Sequence, residues 1–182
     1  MKYIKFLIIL IPFVLFSCAE NLSEKAKKFS QEKIIIDTHI DTPFQIWRQR
    51  NNTGTNDDIT RSTSYHFDYP RAFEGGLNLT FQSIWIPPRT EPEGTSYDLA
   101  IELIEMMNEI IEENPDKFIF IRNPEDISTL ENNKNLVGMA YGIENGAPLE
   151  GNLENVKFLS LIHISEPTRL RRISYAVLCL KK

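Results

Sequence analysis

Short apolar runs alternate along this chain with segments of helical pattern, and this alternation restricts the fold more than any other feature. The runs are rich in β-branched and aromatic residues. They occupy residues 33–37, 77–86, 118–121 and 136–143. Strands that alternate with helices form parallel sheets joined by helical crossovers. The sequence therefore predicts an α/β fold with a parallel sheet, while the periodicity leaves open whether the sheet is a barrel or an open sheet.

The clearest helix is predicted over residues 96–114, where apolar side chains recur at steps of three and four residues. A shorter helix is predicted over residues 68–74, closed by the pair Gly75-Gly76. Residues 38–63 are polar and contain paired Asn and Asp residues. We therefore expect mainly a loop there, with at most one helical turn at residues 44–47.

The first seventeen residues resemble a bacterial lipoprotein signal peptide. Two lysines precede an uncharged apolar run at residues 6–16, which is too short to span a bilayer as a stable helix. The run leads into Ser17-Cys18, which is similar to a lipobox, so cleavage before Cys18 and lipidation of its thiol are expected. Residues 18–32 would then be a lipidated tether with a short surface helix, which holds the protein on the membrane of a bacterial cell envelope, outside the cytoplasm. The alternative is an ordinary signal peptide with a chance cysteine.

Residues 160–182 differ in charge from the rest of the chain. They hold five Lys or Arg residues and one acidic residue, whereas the whole chain has a formal net charge of −5. Because the segment also lacks a clean helical or strand period, we expect it to be a non-native tail. The negative charge of the whole chain argues against nucleic acid as a partner. A lipidated Cys18 could not form a disulfide with Cys179.

Candidate metal ligands follow the first and the fourth apolar run. His39 and Asp41 come just after the first run, and residues two apart in an extended segment point the same way. One imidazole and one carboxylate that face the same point form half of a site for a divalent metal. Glu144 follows the fourth run, and a carboxylate at the end of an apolar strand needs a partner such as a metal.

Each of these residues also has a simpler interpretation. His39 could be a loop histidine bonded to a neighbouring Asp, and Glu144 could be an exposed loop residue. Asp37 either holds the tautomer of His39 as an outer-shell group or caps the turn that follows the strand. His66 is interpreted as a surface histidine. His163 lies in the suspected tail and is not counted as a ligand.

Three segments taken together resemble the renal (membrane) dipeptidase family, also called peptidase family M19. The first is residues 36–43, IDTHIDTP, which is similar to the family's opening Asp-x-His-x-Asp segment. The second, residues 67–85, contains Asp-x-x-Arg-x-x-Glu-Gly-Gly ahead of a strand. The third is residues 142–149, GIENGAPL, which is similar to the strand end that carries the family's bridging glutamate. Order and spacing agree with the family across residues 33–159.

The resemblance implies a (β/α)8 TIM-type barrel with two zinc ions at its C-terminal face, of which residues 33–159 would form the N-terminal half. His39 and Asp41 would bind one zinc ion, and Glu144 would bridge both. The resemblance also implies dipeptide substrates. A water held and deprotonated between the two ions would attack the peptide carbonyl.

The family's remaining ligands are missing from these 182 residues. They are a histidine pair from later strands, a histidine in a Thr-His-Ser context and an acid near the end of the barrel. The resemblance therefore implies an incomplete barrel that is inactive as it stands, and it leaves open whether the complete enzyme is a homodimer. Two rival functions remain. One is another amidohydrolase-type metal hydrolase, which the presence of Asp41 disfavours. The other is a lipid-anchored binding protein without catalysis.

Overall fold

The computed structural model describes residues 21–54 and 58–161. The chain divides into two compact units, one ending at Lys33 and the other beginning at Ile34. The expected signal peptide, the expected lipidation site Cys18 and nearly all of the suspected tail, including His163, lie outside the described residues. Within the described ranges, no helix has both the length and the apolar character needed to cross a membrane.

The first unit contains the helix α1 (Leu22–Glu32), in the segment where the sequence predicts a short surface helix. Its first turn is capped by Asn21, whose side-chain oxygen accepts a hydrogen bond from the Ser23 N–H at 3.1 Å. None of its residues is buried. The segment therefore forms the surface helix expected from its polar composition.

The second unit is built on a parallel sheet, as the alternation of strands and helices predicts. The strands are β1 (Ile35–Ile40), β2 (Leu77–Ile84), β3 (Phe118–Phe120) and β4 (Val137–Ile143). They lie in the order β1-β2-β4-β3, and every pairing is parallel. The short β3 lies outside β4, where it pairs only with the first three residues of that strand. The two long central strands, β2 and β4, are therefore direct neighbours.

Helices and short turns connect these strands. The helices are α2 (Thr42–Asn52), α3 (Tyr69–Gly75), α4 (Thr90–Glu93), α5 (Ser96–Glu113), α6 (Ile127–Asn132) and α7 (Leu153–Leu161), and 3₁₀ turns span Pro124–Asp126 and Ala147–Leu149. The long helix α5 matches the helix predicted over residues 96–114, and α3 matches the one predicted over residues 68–74. Gly76 ends α3 with φ 78°, a left-handed conformation that glycine adopts without strain.

Apolar side chains form two clusters that divide the faces of the sheet between them. Met139 and Tyr141 of β4 belong to the larger cluster, which contains the buried side chains of α5. Ala140, which lies between them in the strand, belongs to the smaller cluster together with Leu79 and Leu130. Successive strand residues point to opposite faces, so a fully buried strand such as β4 contributes to both clusters.

The sequence predicts mainly a loop over residues 38–63, and this prediction is wrong for eleven of them, which form the helix α2. Its buried positions do recur at helical steps, but Thr42 and Gln49 are buried there beside Ile46. An apolar pattern cannot reveal a buried stripe that is partly polar, and this conceals the helix in the sequence. The first strand also differs from its prediction, because β1 runs on to Ile40 and so includes His39.

The packing on Gly138 of β4 provides a test of the smaller cluster. A Cβ at this position would lie 2.8 Å from Ile121 Cγ1, 2.9 Å from Leu130 Cδ1 and 3.1 Å from Leu79 Cδ1. We expect Gly138→Ala to lower the free energy of unfolding by about 1–3 kcal/mol through overpacking, as measured by urea denaturation. Gly75→Ala is the control, since a Cβ at Gly75 meets nothing within 4 Å. Equal stability of the two variants would contradict this packing.

Candidate metal centre

A β-bulge shapes the carboxyl end of β1. Asp37 pairs with Thr80 and Ile40 pairs with Gln82, so three steps along β1 correspond to two along β2. Such a bulge bends the strand and redirects the side chains within it. His39 lies in the bulge, and its N–H donates a hydrogen bond to Asp37 Oδ1 at 3.0 Å. The Asp37 carboxylate thus accepts a hydrogen bond from a backbone N–H. This is the contact expected if Asp37 caps the turn after the strand.

Asp41 occupies the N-cap position of α2, directly after the strand. Aspartate at this position normally accepts a hydrogen bond from the first turn of the helix, but the Asp41 side chain makes no such bond. Its Oδ1 instead lies 3.4 Å from Nε2 of His39. The carboxylate thus faces the imidazole rather than the helix end.

Glu144 reaches the same point from the centre of the sheet. It follows β4, whose last residue Ile143 pairs with Ile84 at the end of β2. The Glu144 N–H donates to the Ile84 carbonyl at 3.4 Å, which continues the ladder by one residue. Oε2 of Glu144 lies 3.6 Å from Nε2 of His39. The structure therefore brings together the three residues that the sequence suggests as metal ligands, with their ligand atoms all within 4.8 Å of one another.

The donor set of one imidazole and two carboxylates suits a divalent metal ion such as zinc, and the two spacings from His39 are those of ligands of a single ion. The two distances from His39 Nε2, 3.4 Å and 3.6 Å, exceed the length of an N–H···O hydrogen bond, about 2.7–3.2 Å. Ligands at about 2.1 Å from a tetrahedral zinc ion would lie about 3.4 Å apart. The side chains are 35% exposed for His39, 64% for Asp41 and 20% for Glu144, so the group is open to solvent on the Asp41 side.

Ser83 is a member of this site that the sequence analysis overlooked. It lies in β2 and is buried, and its Oγ donates a hydrogen bond to Oε2 of Glu144 at 3.3 Å. In sequence it is an ordinary strand residue, because small hydroxyl side chains are common in buried strands. Only the register, which pairs Ser83 with Gly142, shows that it lies beside Glu144, the residue that follows β4.

A cavity of about 320 Å³ adjoins two of the candidate ligands, His39 and Asp41, on the side of β1. His39 and Asp41 line it on one side, and the loop segment 63–67 contributes Thr63, Tyr65, His66 and Phe67. His66 is exposed, as expected of a surface histidine, yet it faces the same cavity as the candidate ligands. The sequence does not show this proximity, because 26 residues of chain separate His66 from His39.

Asp68 holds the loop that forms this side of the cavity. Its buried carboxylate accepts hydrogen bonds from the Thr63 N–H at 3.0 Å and from the Arg71 N–H and Nε at 2.9 Å and 2.7 Å. The Arg71 guanidinium also donates to the Tyr65 carbonyl. Burial alone would raise the pKa of Asp68, but these hydrogen bonds and the Arg71 charge outweigh it and hold the pKa below its usual range.

The sequence profile of the membrane dipeptidase family, peptidase family M19, matches residues 23–168 of this chain. That match covers most of the sequence. The chain belongs to the membrane dipeptidase family. A search of curated proteins gives no significant match.

Solved structures described as metallopeptidases or dipeptidases resemble this membrane dipeptidase family member in fold. A metallopeptidase described as dipeptidase AC is 14% identical with a TM-score of 0.59, over 74% of this chain and 44% of its own. A Rhodobacter sphaeroides metallopeptidase, bound to a phosphinate mimic of the dipeptide L-Ala-D-Ala, gives the same identity and score over 72% of this chain and 44% of its own. The probable dipeptidase PvdM from Pseudomonas aeruginosa is 17% identical with a TM-score of 0.62, over 78% of this chain and 36% of its own. This chain thus spans less than half the length of each.

We expect the hydrogen bonds and the ion pair of Asp68 to make the stability of this family member depend on pH. Because the pKa of Asp68 is lowered in the folded state, its charge stabilises the fold above the unfolded pKa of about 4 and stops doing so as pH falls through the folded pKa. We expect Asp68→Asn to lower the free energy of unfolding at pH 7 by about 1–3 kcal/mol, and the deficit to shrink near pH 3. Urea denaturation at both pH values measures this. Glu131→Gln, an exposed carboxylate on α6, is the control. A deficit that does not change with pH would refute the role of the charge.

Proposed function

We propose that this protein is a zinc-dependent dipeptidase in which His39, Asp41 and Glu144 are metal ligands. The observation that supports this most strongly is their convergence at the carboxyl end of the parallel sheet, with ligand atoms within 4.8 Å, in a chain of the membrane dipeptidase family. In α/β barrels the carboxyl ends of the strands are where active sites lie.

In this proposal His39 and Asp41 would hold one zinc ion, and Glu144 would provide a carboxylate shared with a second. Bound zinc supplies Lewis acidity, which polarises a peptide carbonyl and lowers the pKa of water so that it can act as a nucleophile at neutral pH. The chain's own residues hold the site in place. The bulge of β1 orients His39, and the pairing of β2 with β4 places Glu144 opposite it.

A dipeptide substrate is supported by one of the structures that share the fold. The Rhodobacter sphaeroides metallopeptidase was solved with a phosphinate mimic of the dipeptide L-Ala-D-Ala. The cavity beside His39 and Asp41, about 320 Å³ in volume, is of a size to hold a small ligand of this kind. We therefore propose short peptides, with dipeptides first among them, as the substrate class.

The 182 residues alone should not turn over dipeptides. The described residues provide three candidate ligands at one point, which suffice for one zinc ion but not for two. A bridging carboxylate without its second ion leaves the two-metal clamp on water and substrate incomplete. We propose that strands beyond those described here complete the site.

The test of this function compares the 182-residue chain with a chain extended by the sequence that follows it in the genome. With zinc present, we expect the extended chain to hydrolyse a dipeptide that ends in a D-residue, and the short chain to show no turnover above background. In the extended chain, Glu144→Gln should lower kcat/KM at least about 100-fold, the upper end of the loss caused by changing groups that only support a ligand. Glu154→Gln, an exposed carboxylate on α7, is the matched control.

Two outcomes would contradict the proposal. Full activity of Glu144→Gln would remove the metal-bridging role from this residue. Turnover by the short chain at the rate of the extended chain would show that the described ligands, with residues outside the described ranges, are sufficient.

We also propose that Cys18 is lipidated and anchors the protein to a bacterial membrane outside the cytoplasm. The support is the apolar run at residues 6–16 followed by Ser17-Cys18. Several acyl chains hold a protein firmly on a membrane, whereas one holds it only marginally. When the protein is produced in a bacterial host, we expect the wild type to enter the detergent phase in a partition assay and Cys18→Ala to stay in the aqueous phase. Wild-type protein that stays in the aqueous phase would refute the anchor.

A further inference from the structure

We infer that Ser83 is a positioning residue for the metal centre, and that its hydroxyl orients the carboxylate of Glu144 toward the bound ions. This inference rests on the proposed metal-binding function of Glu144. Ser83 is not one of the candidate metal ligands, although it lies in the segment 67–85 that resembles the family. Strand register, burial and one hydrogen bond together hold the Ser83 hydroxyl against the Glu144 carboxylate.

The register of the two central strands brings Ser83 to Glu144. Ser83 of β2 pairs with Gly142 of β4, and Glu144 lies two residues beyond Gly142. Residues two apart in extended chain point to the same face, so the side chains of Ser83 and Glu144 share one face of the sheet. Gly142 lies between them on that face and has no side chain to separate them. The Ser83 hydroxyl therefore reaches the carboxylate directly.

The hydrogen bond to Glu144 is the one that satisfies the Ser83 hydroxyl. Ser83 is only 3% exposed, and a buried hydroxyl without a partner costs free energy. Its Oγ donates to Oε2 of Glu144 at 3.3 Å. A hydroxyl bond is usually about 2.7–2.8 Å long, so this contact is longer and weaker than a typical hydroxyl hydrogen bond.

The oxygen that Ser83 engages is the one that faces His39. Oε2 of Glu144 lies 3.6 Å from His39 Nε2, on the side where the first zinc ion would bind. Holding Oε2 fixes the orientation of the carboxylate. Outer-shell groups that orient a ligand in this way typically change metal affinity 10- to 100-fold when they are removed.

The test compares Ser83→Thr with Ser83→Val in the 182-residue chain. These side chains have nearly the same shape and differ in the hydroxyl group, so any strain from the added methyl group is common to both. We expect the zinc Kd of Ser83→Val, measured by competition with a chromophoric chelator, to be about 10- to 100-fold higher than that of Ser83→Thr. The visible spectrum of bound Co²⁺ should change in Ser83→Val and resemble the wild type in Ser83→Thr.

Ser96→Ala is the matched control, because Ser96 is also fully buried and its hydroxyl bonds to Thr90 at 2.8 Å, away from the metal centre. Its zinc Kd should equal that of the wild type even if its melting temperature falls. Equal zinc affinity and equal Co²⁺ spectra of Ser83→Thr and Ser83→Val would overturn the inference and leave the proposed function intact. Absence of zinc binding by the wild type would instead overturn the proposed metal centre, and the role of Ser83 with it.

Discussion

The parallel pairing of β2 with β1 on one side and β4 on the other is the constraint on which the rest of this structure depends. Parallel strands run from the same edge of the sheet, so their carboxyl ends meet at the opposite edge. The residues that follow these strands therefore all lie at the same edge of the sheet. His39 and Glu144, far apart in the sequence, become neighbours for this reason.

Local departures from regular pairing then adjust where the side chains point. The bulge of β1 places His39 where its imidazole meets two carboxylates. At the other end of the strand, Asn78 is an extra residue of β2, and its Oδ1 accepts the Ile35 N–H at 2.9 Å in place of a backbone carbonyl. A polar side chain thus compensates for the ladder bond that the irregular register displaces. The pairing therefore persists around the irregularity, and the site at the far end remains in place.

Two polar residues beside the site, Asp68 and Ser83, are buried and held by hydrogen bonds. Asp68 is fully buried, yet its hydrogen bonds and the Arg71 guanidinium fix the loop beside the cavity. Ser83 provides the same kind of support for Glu144 from within the sheet. The candidate ligands thus lie on strand ends and on a helix cap, which are rigid elements, and the surrounding loops are tied to them. Such support keeps ligand atoms within the narrow tolerances that metal binding requires.

The sequence alone determined the fold class and the chemistry of the ligands. Alternating apolar runs and helical periods are local properties. The His-x-Asp pair and the glutamate that follows β4 are local properties too. The helix α2 was missed because its buried stripe includes Thr42 and Gln49, whose burial no hydropathy pattern predicts. Only the tertiary structure decided that β3 lies outside β4, that His66 borders the cavity, and that Ser83 meets Glu144 across 61 residues of chain. These facts depend on strand order and register. Both arise from hydrogen bonds between distant segments, so they cannot be predicted from the residues of either segment alone.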